Sequence, residues 1–344
     1  MNNLEKTLKL YDYKVPKSLI AQKPRLPRDK ARLLIYDRKT KQTWFDRFCN
    51  LAKYLPKNAI LVFNQTKVLP ARLELIKPTG GKIKILYIKK TRGLIWALCE
   101  KNLFVGEKYN LNKKIYFKLI SKENNHYIFK PSFSINKLES ILIKYGLAPL
   151  PPYLKHSPLT ESQRKAQYQT IFAKIPGSIA APTASLHFTK KLFKRLKEWG
   201  IKITFVTLHV NLGTFAPLTE KNLQTHQLHS EFFEIDKKTA QALNQARQKH
   251  QPIIAVGTTV IRTLESSAIG NKLTKLIGDT RLFIQPGYKF KFVDRLITNF
   301  HVPRSSLTIL VSTLTGRKEL LKLYQRAIAK KLRFFSFGDG MLIL

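Results

Sequence analysis

Four short phrases in the second half of the chain set histidines beside turn-forming residues. PTASLHFT holds His187, LHVNLGTF holds His209, HQLH holds His226 and His229, and NFHVP holds His301. The unperturbed imidazole pKa lies near neutrality, so these side chains suit proton transfer, anion binding or metal ligation. Any one of them could equally satisfy a local hydrogen bond, and it is the four phrases together that point to a site. On a helix, His226 and His229 would present two imidazoles to one metal. No HExxH follows, however, and Glu231 and Glu234 lack ligand spacing, so no metal is expected.

GTTVIRTLES offers a different chemistry. A strand ends at Gly257 and a helix opens with Thr258 and Thr259, whose hydroxyls and free backbone N–H groups suit a phosphate or carboxylate. Arg262 and Glu265 share a face of that helix and either serve the same site or pair as a surface salt bridge. The dinucleotide motif GxGxxG, the phosphate loop GxxxxGK[ST] and the GxSxG elbow do not occur, which removes support for NAD, ATP and serine-triad chemistry. His209 and Gly213 follow a strand, the edge at which α/β sheets bind ligands, and His187 is expected at that same edge. His301 precedes Pro303, which favours an extended chain and an exposed turn.

The elements that must position these residues change character along the chain. ARLLIYDR and NAILVFN read as strands, and 64–67 as a turn. Between about Arg72 and Lys130, ARLELI, KIKILYI, LIWALC, KIYFKLI and HYIFK form short β segments split by turn residues, which predicts a small antiparallel sheet or barrel. The alternation of lysine with isoleucine and leucine over 82–88 fits one buried and one wet face. GLAPLPPY reads as a rigid connection. Beyond it helix alternates with strand: Thr189 caps a helix with Leu192, Phe193, Leu196 and Trp199 on one face, and ITFVTL follows. A helix around 239–248 then leads to IIAVG and to a helix beginning near Val260. A last helix spans about 318–331. This pattern is an α/β fold with an inserted all-β, barrel-like unit.

Lys and Arg number 62 against 21 Asp and Glu, a net charge of +41, so a polyanion is the expected partner, nucleic acid first and an acidic membrane surface second. Two cysteines far apart make neither a disulfide framework nor a cysteine zinc site. No apolar run reaches the roughly 18 residues of a membrane span and the N-terminal stretch lacks a signal-like apolar core, so a cytoplasmic protein is expected.

Nearly the whole chain, through LVFNQTKVLPARL, YGLAPLPPY, IAAPTASLHFT, FVTLHVNLGTFAPL, HQLHSEFFEI, AVGTTVIRTLES, LITNFHVPRSSLTILVS and FFSFGDGMLI in that order, resembles the S-adenosylmethionine:tRNA ribosyltransferase-isomerase family of queuosine biosynthesis. The resemblance implies a main domain from residues 1–72 and 154–344 with a barrel-like domain inserted at 73–153. It implies transfer and isomerisation of the ribosyl part of S-adenosylmethionine onto 7-aminomethyl-7-deazaguanine at the wobble position of tRNA with a GUN anticodon. Epoxyqueuosine forms, adenine and methionine leave, and the cofactor is consumed as a substrate with none bound permanently. A monomer is expected.

Carried onto this chain, the resemblance makes His187 and His209 acid/base candidates. Thr258, Thr259 and Arg262 would hold the methionine carboxylate or a tRNA phosphate. Asn64, Thr66, Arg72, Thr183, Gly213 and Glu265 are further substrate contacts, with Asp279, Asn299 and His301 as additional polar contacts and Asp339 bordering the pocket through FGDG. Ser185 and Asn211 stand where the family carries glycine, and Gln65 and Lys67 depart from its FN(D/N)TRV phrase. The rival is a non-catalytic basic RNA-binding protein, which would bind RNA without releasing adenine.

Overall fold

The computed structural model describes residues 3–211 and 217–344. Helix α1 (Asn3–Lys9) precedes β1 (Arg32–Tyr36), β2 (Thr43–Arg47), β3 (Ile60–Asn64) and β4 (Thr66–Val68). The turn expected at 64–67 is instead a bend at Gln65. Asn64 Oδ1 accepts the Thr66 N–H at 3.1 Å, an Asx-type closure that redirects the chain without ending its extended run.

A closed barrel follows, made of β5 (Arg72–Ile76), β6 (Lys82–Thr91), β7 (Leu94–Cys99), β8 (Lys108–Asn110), β9 (Tyr116–Glu123) and β10 (His126–Pro131) in the order β10-β7-β6-β5-β8-β9. The alternation in β6 holds where it was clearest: Ile83 and Ile85 are buried, whereas Lys82 and Lys84 are exposed. They join Leu73, Ala97, Phe117 and Phe129 in a core that fills the barrel. Helix α2 (Leu138–Tyr145) closes the segment, and Leu147 pairs with Arg72, so GLAPLPPY is pinned to β5.

Next come α3 (Glu161–Gln167), β11 (Ile175–Ser178), a 3-10 turn over Thr183–His187, α4 (Lys190–Glu198), β12 (Lys202–Leu208), α5 (Glu220–Thr225), β13 (Gln227–Glu234), α6 (Lys237–Gln248) and β14 (Ile253–Val256). Helix α7 (Thr258–Ser267), the short hairpin β15 (Ala268–Ile269) and β16 (Lys272–Leu273), β17 (Ile277–Leu282), β18 (Arg295–Asn299), α8 (Ser306–Thr315), α9 (Arg317–Ala329) and β19 (Gly340–Ile343) complete the chain. Strand β4 pairs in parallel with β11.

Among the described residues the main sheet runs β17-β13-β12-β3-β14-β18-β19-β1-β2. Its centre, β12, β3, β14 and β18, is parallel and covered on both faces, as parallel strands require. In β1, Leu34 and Tyr36 pack with residues of α6 to α9, whereas Leu33 and Ile35 pack with α4 and the 3-10 segment Phe48–Tyr54. Thr189 caps α4 as expected, accepting the Leu192 N–H at 3.1 Å, and Leu192 and Leu196 are buried. Trp199 departs from that face. It sits at the helix end, 42% exposed, with the Lys57 ammonium 5.9 Å from its ring centre. Two helices begin earlier than their apolar spacing suggested. Asp236 accepts the Thr239 N–H to start α6, and α7 starts at Thr258 directly after Gly257. No helix among the described residues is long and apolar enough to cross a membrane.

Candidate functional site

Beyond the carboxyl ends of β14 and β18 lies a cavity of about 520 Å³, within the range of about 300–1,000 Å³ usual for small-molecule sites. Five sequence-derived candidates line it: Thr183, Thr258, Thr259, Asn299 and His301. A second cavity, about 390 Å³ between α2, α3 and β4, holds none of them.

One wall is the start of α7. Gly257 adopts φ 98°, a left-handed geometry that side chains rarely accept, and this swings the chain from β14 into the helix. The first N–H groups of a helix lack intrahelical partners and carry its positive end. The Thr259 hydroxyl is buried there without a hydrogen-bond partner. Such an atom on a residue that lines a cavity is placed to hydrogen-bond a ligand there.

Beside it, at the end of the neighbouring strand β18, runs a polar chain. Thr183 donates its hydroxyl proton to Asn299 Oδ1 at 2.8 Å. Asn299 Nδ2 faces His187 Nε2 at 3.3 Å and donates to the Phe335 carbonyl at 3.4 Å. His187 does not line the cavity; it lies behind Asn299, 4% exposed, stacked on Phe48 with ring centres 4.2 Å apart. Burial, with Arg333 and Arg28 nearby, pushes its pKa down to about 3. His301, expected on an exposed turn, is 8% exposed on the cavity wall, its Nε2 2.8 Å from the Thr298 hydroxyl. Tyr13 donates to its carbonyl and Tyr324 accepts its N–H, so both ends of the chain hold this turn. Burial alone lowers its pKa to about 3.

Both rings are therefore neutral when folded and titrate near 6.5 when unfolded. Their folded pKa values are depressed, so the stability they contribute is complete above about pH 6.5 and is lost as pH falls toward 3. Two such groups give a slope of about 2.7 kcal/mol per pH unit within that window. Urea unfolding at about pH 7 and about pH 5 should show this loss, and His187→Phe should remove roughly half of it. An unchanged slope in the variant would contradict the buried neutral ring.

The remaining candidates lie elsewhere, and most are bound into the fold. Arg262 is 5% exposed and donates to the Glu231 carboxylate and, at 3.1 Å, to the Leu282 carbonyl. Its guanidinium meets β13 and β17 rather than the cavity, and burial lowers its pKa to about 10. The surface pair with Glu265 does not form. Glu265 instead accepts the N–H groups of Lys291, Phe292 and Val293 at 2.8, 3.0 and 2.9 Å, stapling that loop to α7. Asp339 accepts the N–H groups of Arg32 and Arg333, each at 2.8 Å, and so joins two chain ends instead of bordering the cavity. Asn64 ties β3 to β12 through Leu208.

His209 is half-buried with its Nδ1 2.8 Å from the Thr66 hydroxyl and its ring stacked on Phe232; burial lowers its pKa. Gly177, φ 146°, lets the ring approach: a Cβ there would sit 2.7 Å from its Nε2. Neither His209 nor Thr66 lines the 520 Å³ cavity. Arg72 reaches the Leu150 carbonyl at 3.4 Å on the barrel side, and Asp279 is exposed on β17. Gly213 lies outside the described residues. His226 and His229 do not share a helix, since His226 caps α5 at φ 53° and His229 stands in β13. Among the described residues no group of three histidine, cysteine or carboxylate side chains could hold a metal. Ser185, in place of the family's glycine, sits in a 3-10 turn and shows no left-handed φ.

Tyr153, Ser336 and Arg304 are among the wall residues that sequence reading missed. Tyr153, whose phenol lies 2.7 Å from the Ser336 hydroxyl and is pushed up to about 12 by burial, remains a protonated donor. Ser336 itself is in the FFSFGDG phrase, where the ionisable Asp339 drew attention instead. Arg304, at φ 56°, lines the cavity while holding Asp12 at 2.8 Å and Glu5 at 3.0 Å. No motif marks it.

A family model described as "Queuosine biosynthesis protein" matches residues 8–343. The chain is 42% identical over 344 residues to the S-adenosylmethionine:tRNA ribosyltransferase-isomerase of Carboxydothermus hydrogenoformans, covering 98% of this chain and 99% of that one. The same-named proteins of Fusobacterium nucleatum and Aquifex aeolicus are 44% and 43% identical, covering 97% of this chain and 95% and 98% of theirs. The crystal structure of an S-adenosylmethionine tRNA ribosyltransferase from Thermotoga maritima aligns over 97% of this chain and all of that one, with a TM-score of 0.56 and 31% identity. A match over nearly every residue, on a sheet and barrel of the expected kind, establishes that the chain belongs to the queuosine biosynthesis protein family.

Proposed function

We propose that this protein transfers and isomerises the ribosyl part of S-adenosylmethionine onto 7-aminomethyl-7-deazaguanine at the wobble position of a GUN-anticodon tRNA, releasing adenine and methionine and leaving epoxyqueuosine. The observation that carries the reading is the 520 Å³ cavity with a donor wall at the start of α7 and an acceptor wall at Thr183 and Asn299. A molecule bearing both a carboxylate and a sulfonium matches those two walls. The methionine carboxylate takes the Thr258 and Thr259 end, where N–H groups and the unpartnered hydroxyl complete its bonds.

The reaction needs a proton removed beside the sulfonium, help for departing adenine and an aligned amine. His301, kept neutral on the wall, and Tyr153, kept protonated, can hydrogen-bond the reacting groups, and burial makes each a weaker base or acid than the free side chain. His187 takes neither role, being sealed behind Asn299. S-adenosylmethionine is consumed, and no permanently bound cofactor enters the reaction. The barrel at 73–153, with lysines such as Lys82 and Lys84 on its outer face, is proposed as an inserted domain that meets the tRNA phosphates.

Adenine release, followed chromatographically with S-adenosylmethionine and tRNA carrying the aminomethyl precursor, tests the reading. Release should require that tRNA and should slow as salt rises, because phosphate contacts dominate tRNA capture. Release that is absent, or indifferent to the precursor base, would overturn it.

A further inference from the structure

We propose that His187 is a positioning residue that sets the polarity of the cavity. By accepting from Asn299 it holds that amide in one orientation and makes the Thr183 hydroxyl an acceptor for a cationic centre, the class to which sulfoniums and protonated amines belong. The inference rests on the proposed function only in taking S-adenosylmethionine as that cation.

The orientation of the Asn299 amide follows from its neighbours. The Phe335 carbonyl, 3.4 Å from Asn299 Nδ2, can only accept, so the NH2 group must face it. His187 Nε2 lies 3.3 Å from the same nitrogen and must accept as well, which places the ring proton on Nδ1. A protonated ring would set N–H against N–H, and burial together with Arg333 and Arg28 keeps that form away. Turning the amide over would set lone pair against lone pair at the Phe335 carbonyl and would force the His187 proton onto Nε2. Asn299 Oδ1 is thereby left toward Thr183, and the Thr183 hydroxyl, 2.8 Å away, spends its one proton on it.

What the cavity receives from Thr183 is oxygen lone pairs without a proton. Such an oxygen favours a positive centre, whereas the N–H groups at the start of α7 favour a negative one. A bound zwitterion is therefore oriented with its positive centre at Thr183 and its carboxylate at the start of α7. The neutral thioether that lacks the methyl-derived positive charge loses only the interaction at the Thr183 end.

The test titrates S-adenosylmethionine and S-adenosylhomocysteine into the full-length protein by calorimetry. The wild-type protein should prefer the sulfonium by about tenfold or more, the scale of one charge-assisted contact. In His187→Phe, which keeps the stack on Phe48 but removes the acceptor, that preference should collapse toward unity while thioether affinity stays within about twofold. His187→Gln places an amide oxygen near the lost Nε2 and should restore most of the preference, which a purely structural role would not. Thr183→Val, at a half-buried position, repeats the test without touching the buried ring should His187→Phe fail to fold, and should also lose the preference. Equal weakening of both compounds in the folded variants, or an unmoved preference, overturns the inference and leaves the proposed function standing. Failure of the wild-type protein to bind either compound overturns both.

Discussion

Thr259→Val should make the protein more stable and a poorer binder of S-adenosylmethionine at once. The Thr259 hydroxyl is buried without a partner, and an unsatisfied buried polar group costs about 1–3 kcal/mol. Valine has the same shape without that cost, so unfolding free energy should rise by about 1 kcal/mol. The same change removes a donor from the carboxylate wall, where a hydrogen bond to a charged group is worth about 1.5–3 kcal/mol, or roughly 10- to 150-fold in affinity. Thermal unfolding without ligand and calorimetric titration with it measure the two effects separately. Opposite signs are the expected result. A variant that is both less stable and unimpaired in binding would show that the hydroxyl serves the fold and not a ligand.

Arg262→Met should have the largest effect on folding, with little on ligand affinity. Removing one partner of a buried ion pair leaves the other charge in a low-dielectric interior and costs about 3–5 kcal/mol. Here the guanidinium lies against Glu231, which is 1% exposed, and no part of Arg262 lines the 520 Å³ cavity. Adding Glu231→Gln to Arg262→Met should recover part of the loss, since the residual cost is the buried charge rather than the missing bond. Urea unfolding of the two single variants and the double variant measures this coupling. Folded Arg262→Met should still bind S-adenosylmethionine within about threefold of the wild-type affinity. A selective collapse of binding in a variant of normal stability would return Arg262 to the ligand.

These two residues show which placements a sequence reveals and which it does not. Thr259 was legible because a strand ending in glycine, followed by hydroxyl residues and a helical apolar pattern, makes a helix start whose donors point outward. The pairing of Arg262 was misread because its helical spacing pairs it with Glu265, whereas its partner is 31 residues away on a strand that only the sheet topology brings near. The barrel was legible through the Lys82–Ile85 alternation, but β8, three residues reading Lys-Tyr-Asn, is too short to register as a strand. Histidine presents the same limit. The sequence marked His187 as able to titrate, but its depth behind Asn299 comes from packing on Phe48, more than a hundred residues earlier in the chain. Depth decides whether an imidazole moves protons or only fixes its neighbours.

The most direct measurement follows the ribosyl carbons. Incubating the protein with S-adenosylmethionine labelled with ¹³C throughout its ribose and with tRNA bearing the aminomethyl precursor, then digesting the tRNA, allows the nucleosides to be weighed. The label should appear in epoxyqueuosine at the wobble position, with one adenine released for each ribosyl group transferred. A protein that binds the tRNA with strong salt dependence yet leaves its nucleosides unlabelled would be a basic RNA-binding protein, and the cavity at the ends of β14 and β18 would not be the site of ribosyl transfer.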